Sequence, residues 1–266
     1  MAVAAVTAIV SAPPPPNPVT LALLTLSGGL ACIGSVLLNH YFDRDIDCLM
    51  ERTRGRPLPS GRITNVRLVF WRGLAVVIAG LAVSVLLNLM TTGLILAGAI
   101  VYVVLYTIWL RRRSPASTVV CGLSGSFAAL PGWAAAGAHA TPAPFLVALV
   151  VFLWTPPHFW SFALANRADY QQAGVPMVPG QAAAGYVTGS TGLILLRSAA
   201  AFFSGAPFGW VYPGATAILG SVFLAAEERL LFDNSRRQAW RGYKFSGIYL
   251  AGLFVALVYE GLTKLN

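Results

Sequence analysis

Charged residues are scarce in this sequence. Only 10% of its 266 residues are Asp, Glu, Lys or Arg, whereas soluble domains carry about 25%. With 57% apolar residues, the chain has more apolar surface than one water-soluble core can bury. We therefore expect a polytopic membrane protein whose main partner is the lipid bilayer. Because no long linker interrupts the apolar segments, residues 1–266 are expected to form a single domain.

Cysteine is also rare, and it lacks the spacing of a functional cluster. The three cysteines form no Cys-x-x-Cys pair, which argues against a disulfide framework or a zinc site. The net charge is +9, but the basic residues fill short gaps between apolar segments and form no patch interleaved with exposed aromatics. We therefore expect no nucleic-acid partner.

Segments of about 20 mostly apolar residues can cross a bilayer, and each must be helical because lipid offers its backbone no hydrogen-bond partners. Residues 1–12 are too short to cross and are expected to be the remnant of a truncated first helix, with a Pro-rich connection at 13–18. The predicted fold is an all-α transmembrane bundle of eight full helices plus this remnant. The full spans are predicted at 18–42, 69–89, 92–110, 117–138, 144–166, 186–204, 208–227 and 245–262.

Lys and Arg are concentrated in alternate connections between these spans. The connections near 90–91, 139–143 and 205–207 contain neither residue. Positive charge marks the cytoplasmic side of membrane proteins. We therefore place the basic connections on the cytoplasmic side, or on its equivalent in an organelle; they are 43–67, 111–113, 167–185 and 228–244.

Acidic residues cluster just after the first full span. On a helix, Asn39, Asp43 and Asp47 recur every four residues and share one face. Carboxylates stacked at a membrane boundary repel each other, and a bound cation relieves that repulsion. Amide and carboxylate oxygens suit Mg²⁺ or Mn²⁺, and Mg²⁺ often combines one or two carboxylates with phosphate oxygens. These three residues therefore predict a metal site for a phosphate-bearing substrate, with Asp43 and Asp47 catalytic.

Arginines surround and follow this cluster, and guanidinium groups bind phosphate oxygens well. Metal and arginine at the mouth of an apolar bundle suit the ionisation of an allylic diphosphate, whose isoprenoid tail the dry interior can hold. In the alternative interpretation, Asp43 and Asp47 pair with Arg44 and Arg52, and the other arginines only mark the cytoplasmic side. The candidate substrate-binding arginines are Arg44, Arg52, Arg54 and Arg56.

A second candidate region lies in and after the span 144–166. His158 follows Pro156 and Pro157 inside the membrane, where an imidazole can bind a metal or shuttle a proton, or can simply bond to a neighbouring helix. Asp169, followed by Tyr170, lies at the cytoplasmic end of the same span. Its carboxylate could complete a second metal site, or it could pair with Arg167.

The strings 39–61, 154–160 (WTPPHFW) and 169–177 resemble the protoheme IX farnesyltransferase branch of the UbiA superfamily of intramembrane prenyltransferases. The resemblance implies nine helices around a central cavity, Mg²⁺, and farnesyl transfer from farnesyl diphosphate to a vinyl group of protoheme IX. We expect His158 to be a catalytic residue in contact with haem, and Asp169 and Tyr170 to bind substrate. The resemblance also implies a bacterial inner membrane or mitochondrial inner membrane location, with haem-processing or terminal oxidase proteins as downstream partners.

The chain departs from this branch in three places, one of which is the segment 180–185, where the branch usually has a polar, Thr-containing lead into the next helix. The basic element of a full first helix is absent, and Ala168 replaces the first of two acidic residues before Tyr170. One rival function is a UbiA-type prenyltransferase acting on an aromatic acid or quinone precursor, which does not obviously need His158. Another is a non-enzymatic transporter or assembly factor, for which polar residues spread through the bundle midplane would be expected.

Overall fold

The computed structural model describes residues 17–138, 142–177, 184–192 and 210–263. Over these ranges the regular structure is entirely helical. The helices are α1 Pro18–Phe42, α2 Arg44–Asp47, α3 Val66–Val85, α4 Leu89–Ile100 with a π-helical continuation Val101–Leu110, α5 Ser117–Ala135, α6 Ala143–Ala165, α7 Arg167–Gln172, α8 at 184–192, α9 Val211–Phe232 and α10 Arg236–Thr263.

The predicted all-α membrane class is confirmed. Within the described ranges, six helices are long and apolar enough to cross a membrane: α1, α3, α4 with its continuation, α5, α6 and α10. Helix α10 begins nine residues earlier than predicted, because its basic first turns continue the helix beyond the apolar segment. Residues 1–12 and most of the predicted span 186–204 lie outside the described residues, so the total number of spans stays a prediction.

Asparagine side chains cap three of these helices. The Asn17 side chain accepts a hydrogen bond from the Thr20 backbone N–H at 2.8 Å, and Pro18 occupies the first helical position. Pro18 therefore begins α1 and does not belong to the connection predicted at 13–18. Asn65 and Asn88 cap α3 and α4 in the same way.

Helices α1 and α3 pack backbone against backbone. A Cβ atom at Gly34 would lie 2.6 Å from the Gly73 carbonyl oxygen, and one at Gly80 would lie 2.6 Å from the Ser27 carbonyl oxygen. Small residues allow such close approach, and the resulting van der Waals contact drives helix association in lipid. This packing fixes the C-terminal end of α1, where the acidic cluster begins.

Helices α6, α9 and α10 form the other half of the bundle around a buried apolar cluster containing Phe223 and Tyr249. Two buried glutamates join these helices. Glu260 accepts a 2.8 Å hydrogen bond from the Tyr212 backbone N–H at the start of α9, and Glu227 accepts one from the Ser161 hydroxyl at 3.0 Å. Both contacts hold α9 in place, and α6 meets α10 directly where the Trp154 indole N–H donates a 2.8 Å hydrogen bond to the Ser246 carbonyl. His158 therefore lies against α10.

Candidate active site

The predicted stripe of oxygen ligands is buried at the end of α1. Asn39 is 5% exposed, and Asp43 and Asp47 are fully buried. The chain turns at Asp43, but the Asp47 backbone N–H still bonds to the Asp43 carbonyl at 2.8 Å. Helical spacing is thereby kept across the turn. The Asn39 amide donates a 2.6 Å hydrogen bond to the Asp43 carboxylate, so α1 and α2 place all three side chains toward the interior.

The partner of Asp43 is Arg111, which the sequence marked only as a topology signal. Arg111 is 8% exposed, and its guanidinium donates a short hydrogen bond to Asp43. The π-helical segment before it ends with the Arg111 backbone N–H bonded to the Tyr106 carbonyl at 2.9 Å. The wider π turn changes the direction of the following side chains, and such turns are frequent at functional sites. From the same segment, Thr107 accepts a 3.1 Å bond from Asn39.

Burial and the neighbouring arginine charges shift the pKa values of the acidic residues in opposite directions. Burial raises the pKa of Asp43, and the Arg111 guanidinium opposes that rise. Asp45 lies outside on the same turn, where Arg112 binds both of its carboxylate oxygens at 2.6 Å. These hydrogen bonds hold the pKa of Asp45 below its usual value. The site therefore has a buried ion pair inside and a solvent-exposed pair at its rim.

Three buried polar atoms in the site have no hydrogen-bond partner among the described residues: Asp43 Oδ1, Asp47 Oδ1 and Arg111 Nε. Buried polar atoms are normally paired. Two carboxylate oxygens beside one guanidinium N–H suit a ligand that carries both a cation and an anion. No three His, Cys, Asp or Glu side chains in the described ranges lie close enough to hold a metal. Two carboxylates nevertheless suffice for Mg²⁺, which takes its other ligands from phosphate and water.

The four candidate arginines have different environments. Arg56 reaches the site, with Nη1 2.7 Å from Asp47 Oδ2. The Arg52 guanidinium lies over the Phe162 ring at 5.0 Å. Arg54 is exposed, 3.8 Å from the Glu51 carboxylate. Of these three, only Arg56 contacts the buried carboxylates.

Arg44 is exposed and donates to the Tyr41 carbonyl at 2.6 Å. It follows Asp43 by one residue, which turns its side chain about 100° away on a helix. The alternative pairing of Asp43 with Arg44, and of Asp47 with Arg52, is therefore wrong. The observed partners are Arg111 and Arg56, respectively.

Within the described residues, Asp169 and the buried carboxylates do not form a cluster of three metal-binding side chains. The alternative ion pair between Asp169 and Arg167 is also not found there. The two carboxylate oxygens of Asp169 instead accept the backbone N–H groups of Glu51 and Arg52, each at 3.2 Å. Tyr170 is buried beside Met50 and Ile46. The sequence could not show this contact, since it joins segments 117 or more residues apart.

His158 lies on α6 against α10. Its Nδ1 is 2.7 Å from the Ser246 hydroxyl, and its ring stacks on Trp154 at 4.1 Å and lies 4.5 Å from the Tyr243 ring. The expected alternative, a bond to a neighbouring helix, is therefore what the structure shows. A hydrogen bond at Nδ1 fixes the ring and leaves Nε2 as the nitrogen that can meet a ligand.

An apolar cavity of about 290 Å³ lies between α1, α4 and α5. Ser35, one helical turn before Asn39, and Tyr102, which precedes Thr107, line it at the end nearest the buried carboxylates. Gly28 on α1 and Pro131 on α5 also line it. Because Gly28 precedes Asn39 by eleven residues, the cavity extends about 16 Å along the helix from the site. Its shape and lining suit a long hydrocarbon chain.

Comparison with known sequences gives a consistent result. A profile of the UbiA prenyltransferase family matches residues 1–258. The protoheme IX farnesyltransferase of Roseiflexus castenholzii is 41% identical over 246 residues, which cover 89% of this chain and 45% of that protein. The protoheme IX farnesyltransferase of Symbiobacterium thermophilum is 38% identical over 253 residues, covering 92% of this chain and 84% of that protein. The chain thus spans about half the length of the first relative and most of the second.

Two solved structures share the fold. A digeranylgeranylglyceryl phosphate synthase matches with a TM-score of 0.81 at 19% identity, covering 98% of this chain and 92% of that chain. A UbiA homologue from Archaeoglobus fulgidus, solved with DMAPP and Mg²⁺ bound, matches with a TM-score of 0.67 at 16% identity, covering 96% of this chain and 93% of that chain. At these identities the matches establish the fold alone.

Proposed function

This chain belongs to the UbiA prenyltransferase family, and we propose that it transfers a farnesyl group from farnesyl diphosphate to a vinyl group of protoheme IX with addition of one water molecule, giving haem O and diphosphate. The relatives named protoheme IX farnesyltransferase, at 41% and 38% identity, support this choice of donor and acceptor. The observation that carries the proposal is the set of unpartnered buried atoms, two carboxylate oxygens and one guanidinium nitrogen, beside an apolar cavity.

The donor diphosphate is expected to bind at the buried ion pairs. Asp43 and Asp47, assisted by the Asn39 amide, would hold Mg²⁺, and Mn²⁺ suits the same oxygens. The bound ion would neutralise charge on the leaving diphosphate. Arg111 and Arg56 already lie beside the two carboxylates, so their guanidinium groups can bind phosphate oxygens as the diphosphate enters. The arginines then stabilise the charge that develops as the allylic carbon–oxygen bond breaks.

The apolar cavity is expected to receive the isoprenoid chain. Its lining from Ser35 to Pro131 keeps water from the allylic cation. The acceptor side is assigned to α6, where Ser246 orients the His158 ring for contact with haem. Trp154 and Tyr243 beside it offer further aromatic surface.

The chain is an integral membrane protein, and we place it in a bacterial inner membrane or a mitochondrial inner membrane. The arginine-bearing turns at 43–67 and 111–113 are assigned to the cytoplasmic or matrix side by their positive charge. Haem-processing or terminal oxidase proteins would receive the product downstream.

The direct test is expression in bacterial cells that lack haem O, followed by chromatography of the extracted haems. The wild-type chain should restore haem O, whereas Asp43→Ala and Asp47→Ala should insert into the membrane without restoring it. Full restoration by both variants would contradict the assigned diphosphate site. Inserted wild-type protein that makes no haem O but prenylates an aromatic acid or quinone precursor would contradict the assigned acceptor.

A further inference from the structure

We propose that Asp169 is a positioning residue that latches the arginine loop, residues 48–62, over the active site. The inference deepens the proposed function and rests on it. The loop lies between α2 and α3 and carries Arg52, Arg54 and Arg56. Its position decides whether an arginine can reach the buried carboxylates.

The latch consists of two hydrogen bonds to consecutive backbone groups. Asp169 Oδ1 accepts the Glu51 N–H and Oδ2 accepts the Arg52 N–H, both at 3.2 Å. A carboxylate that bridges two adjacent N–H groups uses both of its oxygens and fixes the direction of the backbone there. Hydrogen bonds to a charged acceptor are about twice as strong as neutral ones. Asp169 therefore joins the start of the loop to α7.

Neighbouring contacts hold the same part of the loop. Met50 is fully buried in a cluster with Tyr170 and Met177. Thr53 is 1% exposed and donates a 2.8 Å hydrogen bond to the Asp47 carbonyl. The Arg52 guanidinium lies over the Phe162 ring. Residues 50–53 are thus docked on α6, α7 and α2, and the two hydrogen bonds to Asp169 add to this docking.

The docked segment also determines the position of Arg56, which follows Thr53 by three residues. Arg56 Nη1 lies 2.7 Å from Asp47 Oδ2, and its backbone N–H bonds to the Thr53 carbonyl at 2.9 Å. Fixing Glu51 and Arg52 therefore fixes Arg56 over Asp47.

Limited trypsin digestion of the detergent-purified full chain, without Mg²⁺ or substrate, measures the latch directly. The arginine loop offers cleavage after Arg52, Arg54 and Arg62, and cleavage after Arg237 serves as an internal reference. Asp169→Ala should raise the cleavage rate of the loop about tenfold or more relative to the reference, because a charge-assisted hydrogen bond shifts an opening equilibrium by about that factor. Glu51→Gln, which alters an exposed side chain of the same loop, should stay within about twofold of wild type.

Asp169→Asn provides a second variant, since its amide retains one acceptor and should give an intermediate cleavage rate even if Asp169→Ala fails to fold. In farnesyl transfer, both variants should raise the KM for farnesyl diphosphate while the Mg²⁺ concentration at half-maximal rate changes less than about twofold. Loop cleavage at the wild-type rate, or a Mg²⁺ requirement raised tenfold with an unchanged loop, would overturn the latch. Haem O synthesis absent from the wild type, with the loop still loosened by Asp169→Ala, would remove the proposed function and leave the latch standing.

Discussion

Removing the Arg111 guanidinium should destabilise the protein through its buried partner. Asp43 is fully buried and Arg111 is 8% exposed, so Arg111→Met leaves a buried carboxylate without its hydrogen-bonded cation. The nearest remaining guanidinium nitrogen, Arg112 Nη2, lies 3.9 Å from Asp43 Oδ1. Breaking a buried ion pair costs about 3–5 kcal/mol. At about 2–4 °C of Tm per kcal/mol, a loss of about 3 kcal/mol corresponds to about 6–12 °C.

The stability lost in Arg111→Met should increase as pH rises. Burial already raises the pKa of Asp43, and loss of the Arg111 charge raises it further in the folded state. Above the unfolded-state pKa, the folded variant then binds more protons than the unfolded chain, so its stability falls as pH rises. The deficit relative to wild type should therefore be larger at about pH 8 than at about pH 5.

Thermal unfolding of the detergent-purified protein, followed by circular dichroism at both pH values, measures this effect. The double variant Asp43→Asn with Arg111→Met serves as the matched comparison, because it removes the uncompensated charge and should recover part of the lost stability. Arg111→Lys keeps a cation but loses the guanidinium geometry, so its thermal stability should lie between those of wild type and Arg111→Met. An Arg111→Met variant as stable as wild type at both pH values would refute the assignment of a buried ion pair.

Three further predictions follow from the packing and from the rim of the site. Gly80→Val should lower the free energy of unfolding by about 1–3 kcal/mol, because its side chain would meet the Ser27 carbonyl. Gly29→Ala should leave the free energy of unfolding nearly unchanged, because no atom lies within 4 Å of the new Cβ. Chemical denaturation in detergent compares the two variants. Glu260→Leu should cost about 1–3 kcal/mol in the same assay by leaving the Tyr212 N–H without its acceptor, and Glu260→Gln, which keeps an acceptor, should cost less. Asp45→Asn should change stability by about 1 kcal/mol or less, since the Asp45–Arg112 pair is largely exposed, and a loss comparable to that of Arg111→Met would show that the rim pair has been misjudged.

The parts of the structure that could be predicted from sequence are those set by local spacing. Apolar runs located the six described helices that are long and apolar enough to cross a membrane. The four-residue period of Asn39, Asp43 and Asp47 predicted their shared buried face because a helix fixes that geometry by itself. The early start of α10 escaped prediction because a helix can continue into a charged segment, where the apolar pattern that marks a span is absent.

The parts that could not be predicted depend on which distant segments meet. Asp43 pairs with Arg111, 68 residues away, although Arg44 stands next to it, and no local pattern shows that choice. The π-helical turn that aims Arg111 has the same apolar composition as an ordinary helix. Asp169 binds backbone N–H groups, which every residue but proline carries, so its partners have no signature in the side-chain sequence.

The central claim is that Asn39, Asp43 and Asp47 hold a divalent cation together with a diphosphate. Isothermal titration calorimetry of farnesyl diphosphate into the purified full chain, with and without Mg²⁺, tests it most directly. The claim predicts binding that strengthens at least tenfold when Mg²⁺ is present, and it predicts that Asp43→Asn combined with Asp47→Asn abolishes this enhancement while the protein stays folded. An equal Mg²⁺ enhancement in wild type and double variant would contradict it.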